Sequence, residues 1–203
     1  MDKKYELTDG TSMLDEHRKT YRIKALRDFG DVRAGDLGGY VEFEKNLSHE
    51  GNCWIYDHAW VYSNAIVSGD ARISEDARVY GNACVYDHAQ IFGAACITGL
   101  TKIYEYAQVY ENVLVYDFVN IFGNSRLTGD CRISGDARVF GNAWVSGDVG
   151  VYGEARVFGT ACAFGSIIIF GTTKLDQGIW YKEIVIDSKY CLVSTTLQKM
   201  IEE

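Results

Sequence analysis

The chain has 203 residues, a formal net charge of −8 and no proline. That acidic balance, with a sequence pI of about 5.0, argues against a long nucleic acid or an anionic membrane surface as partner, since both repel it. The six cysteines show no disulfide or zinc spacing, no apolar run is long enough for a membrane span, and no signal-peptide core follows Met1-Asp2-Lys3-Lys4, so a cytoplasmic protein is expected.

Residues 1–40 read as a small N-terminal β cap. Tyr5-Glu6-Leu7-Thr8 and Tyr21 to Leu26 alternate as strands do, and Asp9-Gly10 is a turn signal. A helix across Met13 to Leu26 competes with the second strand. The stretch Phe29 to Tyr40 is rich in glycine, but a phosphate-cradling loop needs a helix behind it. Here β-type sequence follows, with Val41, Phe43 and Leu47 near the register of what comes next, so backbone turns into a first coil are expected.

From Cys53 to Thr173 one motif repeats without a break. Every sixth residue from Ile55 is aliphatic, through Val61, Val67, Ile73 and onward to Ile169, with Ala163 the smallest, and the residue two before each is usually small, as Ala59, Ala65 and Ala71 are. Gly followed by Asn or Asp recurs between these pairs, as in Gly81-Asn82 and Gly135-Asp136, where φ > 0 is tolerated. A period of six fits neither a helix nor one long strand. It fits a short strand and a tight turn, three of which close a coil of eighteen residues that pairs in parallel with the next. The expectation is an all-β, single-domain parallel β-helix over residues 41–174, with about six to seven triangular coils. Cys53 and Cys131 point inward on this register, where a thiol acts as a small hydrophobe.

Beyond Thr173 the periodicity stops, and residues 175–203 read as a C-terminal cap. Ile179 to Ile186 and Tyr190 to Ser194 suggest a hairpin around Asp187-Ser188-Lys189, with a short helix over Thr196 to Ile201. Caps of this kind cover the unpaired strand edges at the ends of a solenoid.

The pattern aliphatic-x-x-x-small-x resembles the hexapeptide repeat of left-handed parallel β-helix proteins, a family that includes many acyltransferases. The resemblance implies a left-handed coil and a homo-oligomer, most often a trimer. An acyltransferase member would take acyl-CoA and use a histidine as general base, for which His49, His58 and His88 are the candidates, His49 and His88 foremost. No loop is inserted between the coils to build an acceptor site, which weighs against that activity. The leader from Phe29 to Tyr56 resembles that of uncharacterised phage and prophage hexapeptide-repeat proteins. It implies an accessory protein acting in a bacterial host cell, and it brings no catalytic residues and no cofactor.

Positions eighteen apart stack on one face, so the register assigns outward columns. One face carries Tyr86, Tyr104, Phe122, Phe140 and Phe158, and beside them run Lys102, Asn120, Arg138, Arg156 and Lys174. Aromatics next to cations on an acidic protein suit a small anionic, nucleotide-like molecule, with rings stacking on a base and Arg gripping phosphate. Packing of the rings against each other or against a second subunit is the competing explanation. A second departure lies at Leu100 and Phe118, which replace the usual corner Asn or Asp, with Leu114 and Tyr116 on the adjoining face and Tyr106 under His88. Exposed hydrophobes at turns point to burial by a partner chain, so these five are the expected oligomer interface. Stacked Thr columns of an ice-binding surface are lacking, and no metal-ligand, Ser-His-Asp or paired-carboxylate arrangement stands out. The function expected is non-catalytic sequestration of a nucleotide-like anion such as a bacterial immune signal, with an acyltransferase or a structural assembly module as alternatives.

Overall fold

The computed structural model describes residues 3–13, 18–181 and 184–187. Short strands stack in three columns, one per face, with parallel pairing at a spacing of eighteen residues. Ile55 lies over Ile73, Ile91 over Val109, Val79 beside Val61 and Ile103 between Val85 and Ile121. The aliphatic residues of these columns and the small residues two before them are fully buried. This is the inward pair that the period of six encodes. Each outward residue then donates its backbone N–H to the next coil, as Lys102 does to Val119 O at 2.9 Å and Tyr104 to Ile121 O at 3.1 Å.

The solenoid has about eight turns, more than the repeat alone predicts, because both ends add strands off the period. Val41 pairs in parallel with Val61, and Leu47 bridges to Val67, spacings of 20 residues in the first coil. At the other end Trp180 pairs with Ala163 and Ile186 with Ile169, spacings of 17. The strands Ile179–Tyr181 and Ile184–Asp187 thus continue the coil in parallel, where the sequence suggested that the repeat ended at 174 and one arm of a hairpin followed. The other arm, Tyr190 to Ser194, and the helix over Thr196 to Ile201 lie outside the described residues.

At the N-terminus β1 (Tyr5–Met13) and β2 (Lys19–Ala25) pair antiparallel, and β3 (Leu37–Val41) joins β2 on one side and the first coil on the other. The strand β2 occupies part of the span where a helix competed. Asp9-Gly10 is no turn, because it sits inside β1 where the register with β2 shifts between Leu7 and Thr11, as at a bulge. The two extra residues of the first coil enlarge its corner at Ser48 to Cys53, and the buried Lys4 fills the opening. Its ammonium donates to Cys53 O at 2.9 Å and to Gly51 O and Glu50 O at 3.3 and 3.4 Å, and touches Cys53 Sγ at 3.2 Å. Burial lowers the Lys4 pKa and raises that of Cys53, and three backbone carbonyls satisfy the buried Lys4 head group.

The corners show how an acidic chain builds this coil. Among the described residues, positive φ at a non-glycine occurs at Ser63 and at six acids, Asp57, Glu75, Asp87, Glu105, Glu111 and Asp117. Each of the six carboxylates accepts the backbone N–H eighteen residues on, for example Glu105 from Gly123 at 2.8 Å and Glu111 from Gly129. The hydrogen bond offsets the cost of about 1 kcal/mol for a left-handed residue with a side chain.

Candidate functional site

The face built on Val67, Val85, Ile103, Ile121, Val139 and Val157 carries the residues that the sequence singles out. On it Tyr86, Tyr104, Phe122, Phe140 and Phe158 form one continuous ladder, with centroids 4.8 to 5.0 Å apart and planes within 8° of parallel. That spacing equals the rise between strands, about 4.8 Å. The ring faces are therefore spent on one another, and the column shows its edges to solvent. Stacking of all five rings on a base, as the sequence suggested, is not available along the column. An edge carries the positive end of the ring quadrupole, so this strip favours an anion by another route. Ladders also form at Tyr62–Tyr80, Phe92–Tyr110 and His88–Tyr106. Burial raises the pKa of Tyr86 and Tyr104, which keeps both hydroxyls neutral.

The basic column has a local origin that the sequence reading missed. Within the coil every Lys and Arg, from Arg72 to Lys174, occupies the strand position just before the inward aliphatic, and every Asp and Glu from Asp57 to Glu154 occupies a corner. The recurring words Asp-Ala-Arg at 136–138 and Glu-Ala-Arg at 154–156 set an acid and a cation on the same side, one inward residue apart. A shallow depression of about 250 Å³ lies between corner and face, lined by Phe118, Asn120, Asp136, Arg138, Glu154 and Arg156. It brings together three of the residues expected to bind ligand, Asn120, Arg138 and Arg156, and one expected at the interface, Phe118. The five rings and Lys102 do not line it. Asp136 and Glu154 do, and their Asp-Ala-Arg and Glu-Ala-Arg words were the available signal. No ion pair within 4.0 Å engages Arg138, Arg156, Lys102 or Lys174 among the described residues.

The five residues expected at an interface divide. Leu100 and Phe118 are adjacent on the corner between the Val61 face and the Val67 face and are 50% and 55% exposed. Leu114 and Tyr116 are half-buried on the Val61 face. Tyr106, 60% exposed, stands at the far edge of the Val67 face, stacked on His88 at 4.8 Å.

The two foremost candidate general bases sit in different surroundings. His49 accepts the Lys4 N–H at Nδ1 (3.1 Å), contacts Glu44 Oε1 through Nε2 at 2.9 Å and stacks on Tyr5 at 4.4 Å. With Nδ1 accepting, Nε2 carries the proton, and both nitrogens are used in holding the cap to the first coil. His88 lies 3.4 Å from Asp70 at a corner, half-exposed. No group of three or more His, Cys, Asp or Glu that could hold a metal occurs among the described residues. No helix among them is long and apolar enough to cross a membrane.

Residues 71–87 and 132–147 match the family model of the YdcK beta solenoid repeat. The repeat match and the stacked parallel coils fit a hexapeptide-repeat β-helix protein. The chain is 56% identical over 36 residues to the uncharacterized acetyltransferase YdcK of Escherichia coli (strain K12), a match that spans 18% of this chain and 11% of that protein. The two segments matched by the repeat model share the word Arg-Ile-Ser-x-Asp-Ala-Arg-Val-aromatic-Gly-Asn-Ala, at 72–83 and at 132–143. In this β-helix the first copy opens on the Ile55 face and the second on the Val61 face. The word therefore belongs to coil building and is not tied to one surface.

Proposed function

We propose that this β-helix is a non-catalytic binding protein that takes a small anionic, nucleotide-like molecule on its Val67 face, along the groove between the Phe118 corner and the aromatic ladder. The observation that carries the reading is the coincidence of Arg138 and Arg156, without ion pairs, with the edge-on strip of Phe122, Phe140 and Phe158. Guanidinium forks grip phosphate bidentately, and the ring edges add a weaker attraction for negative charge. The base packs flat only where a ring face is open, at the ends of the ladder. The resemblance of the leader to phage-type chains makes linear and cyclic nucleotides the first ligands to try, and sequestration of such a signal the biological form of the binding.

Calorimetric titration with a panel of mono-, di- and cyclic nucleotides tests it. Heat is expected with at least one member, reduced at least tenfold in affinity by Arg138→Glu with Arg156→Glu and weakened by salt. No heat with any member overturns the reading. Turnover of acetyl-CoA that is lost in His88→Ala would replace it with an acyltransferase, the activity in the printed name of the Escherichia coli relative.

A further inference from the structure

The corner between the Val61 face and the Val67 face is unlike the other two. Read down the coils, its outermost positions are Asn64, Asn82, Leu100, Phe118, Asp136 and Glu154, which is two amides, two hydrophobes and two acids. All six are exposed, and Lys45 adds a positive charge at the amide end through its bond to Asn64 Oδ1 at 2.8 Å.

We propose that this ridge is a self-recognition surface, on which a second copy of the chain packs antiparallel about a two-fold axis passing between the levels of Leu100 and Phe118. In that pairing Leu100 meets Phe118 of the partner subunit, Asn82 meets the partner's Asp136, and Asn64 with Lys45 meets the partner's Glu154. Every level then sets apolar against apolar or donor against carboxylate. A parallel two-fold in register would instead set Asp136 and Glu154 against their own copies, and like charges facing across an interface are strongly disfavoured. The order of residues along the ridge is thus complementary to its own reverse, the requirement for an isologous contact. The hydrophobes at its centre are the part that water disfavours most.

The axis keeps like faces on the same side, so the two Val67 faces flank the seam. Amide and ammonium donors of one copy occupy Asp136 and Glu154 of the other, and these are the acids beside Arg138 and Arg156. The pair therefore leaves both sets of guanidinium groups free for an anion in a shared cleft. Only this last consequence rests on the ligand reading.

Sedimentation equilibrium and chemical crosslinking test the pairing. The wild-type chain is expected to be a dimer, and Phe118→Asp a monomer with unchanged circular dichroism, because the substituted side chain is largely in solvent. With Cys84, Cys96, Cys162 and Cys191 changed to Ser, a mixture of Asn82→Cys and Asp136→Cys chains should form a disulfide-linked heterodimer on mild oxidation, and neither chain should link to itself. A monomeric or trimeric wild type, a dimer that survives Phe118→Asp, or a disulfide in Asn82→Cys alone overturns the proposal. Nucleotide heat plays no part in these readouts, so the two readings fail separately.

Discussion

The coil at Arg132 to Ala143 and the coil at Thr98 to Tyr110 have the same inside and different outsides. In the first, Asp136 and Arg138 flank the inward Ala137, and Val139 fills the centre. In the second, the inward pair is Thr101 and Ile103, equally buried, but Leu100 stands where the acid was. A strand of this solenoid is therefore specified by two inward side chains and a left-handed corner. The outward positions other than the left-handed corner residues are free of the fold. A departure there, such as Leu100 and Phe118, therefore carries information about partners rather than about folding.

The most damaging way to break that rule is from inside. Val109 is fully buried and stacks between Ile91 and Leu127. Val109→Asp places an unpaired carboxylate in the core and is expected to cost more than about 4 kcal/mol, enough to abolish folding. Its neighbour Gln108 points outward, and Gln108→Asp should stay within about 0.5 kcal/mol. Denaturant unfolding of the two variants decides the matter, and equal losses would refute the division between inward and outward positions.

The same division explains what the sequence could and could not show. The inward period of six was legible because hydrophobic burial repeats it in every coil, and the buried Cys53 and Cys131 followed from it. The coil number was not, since Val41, Leu47, Trp180 and Ile186 join at spacings of 20 and 17 that a strict period excludes. The aromatic column was placed correctly by register, as the Tyr104–Phe122 contact shows. Register says nothing of ring planes, however, so the loss of the faces to stacking was invisible. The placement of Arg138 and Asp136 in one depression was readable as Asp-Ala-Arg, but only after the corner had been recognised as the place where acids collect.

A contrast between the capped end and the middle of the solenoid is sharpened by pH. Burial pushes the Tyr62 hydroxyl up to about 12 and the Cys131 thiol up to about 11, and it raises Tyr5 and Tyr56 as well. Three of these four groups lie at the N-terminal end. Each folded-state pKa exceeds its unfolded value, so the stability it contributes is complete below the unfolded value and is lost as pH rises towards the folded one. Melting temperature should thus fall from about pH 9 upward. Tyr62→Phe should soften the fall, and by more than Tyr104→Phe, whose half-buried hydroxyl is shifted in the same direction. A flat profile to pH 11 would contradict the burial of these hydroxyls.

The corners offer a smaller test. Glu105 holds φ at 57° and accepts Gly123 N–H at 2.8 Å. Glu105→Ala keeps the strained backbone and loses the acceptor, and should cost about 1 kcal/mol. Glu105→Gly loses the same acceptor but relieves the strain, so its cost should be smaller. Chemical denaturation that ranks glycine below alanine in stability would show that the left-handed backbone at this corner is not strained.

The smallest effect expected is a gain. The inward small column beside the Val67 face runs Ala71, Ala89, Ala107, Ser125, Ala143 and Ala161, all fully buried. The other inward hydroxyls at small positions find an acceptor three residues back, Thr101 at Thr98 O and Thr173 at Phe170 O, both 2.7 Å. Ser125 Oγ is buried without a hydrogen-bond partner. Burying a hydroxyl in that state costs about 1 kcal/mol, and Ala107 and Ala143 above and below show that a methyl group fits the space. Ser125→Ala should therefore raise the melting temperature by about 2 to 4 °C, while Thr101→Ala, which removes a satisfied bond and a packed methyl, should lower it. If both substitutions destabilise, the polar atoms of the inward column contribute to the fold, and the rule that only size matters inside this solenoid is wrong.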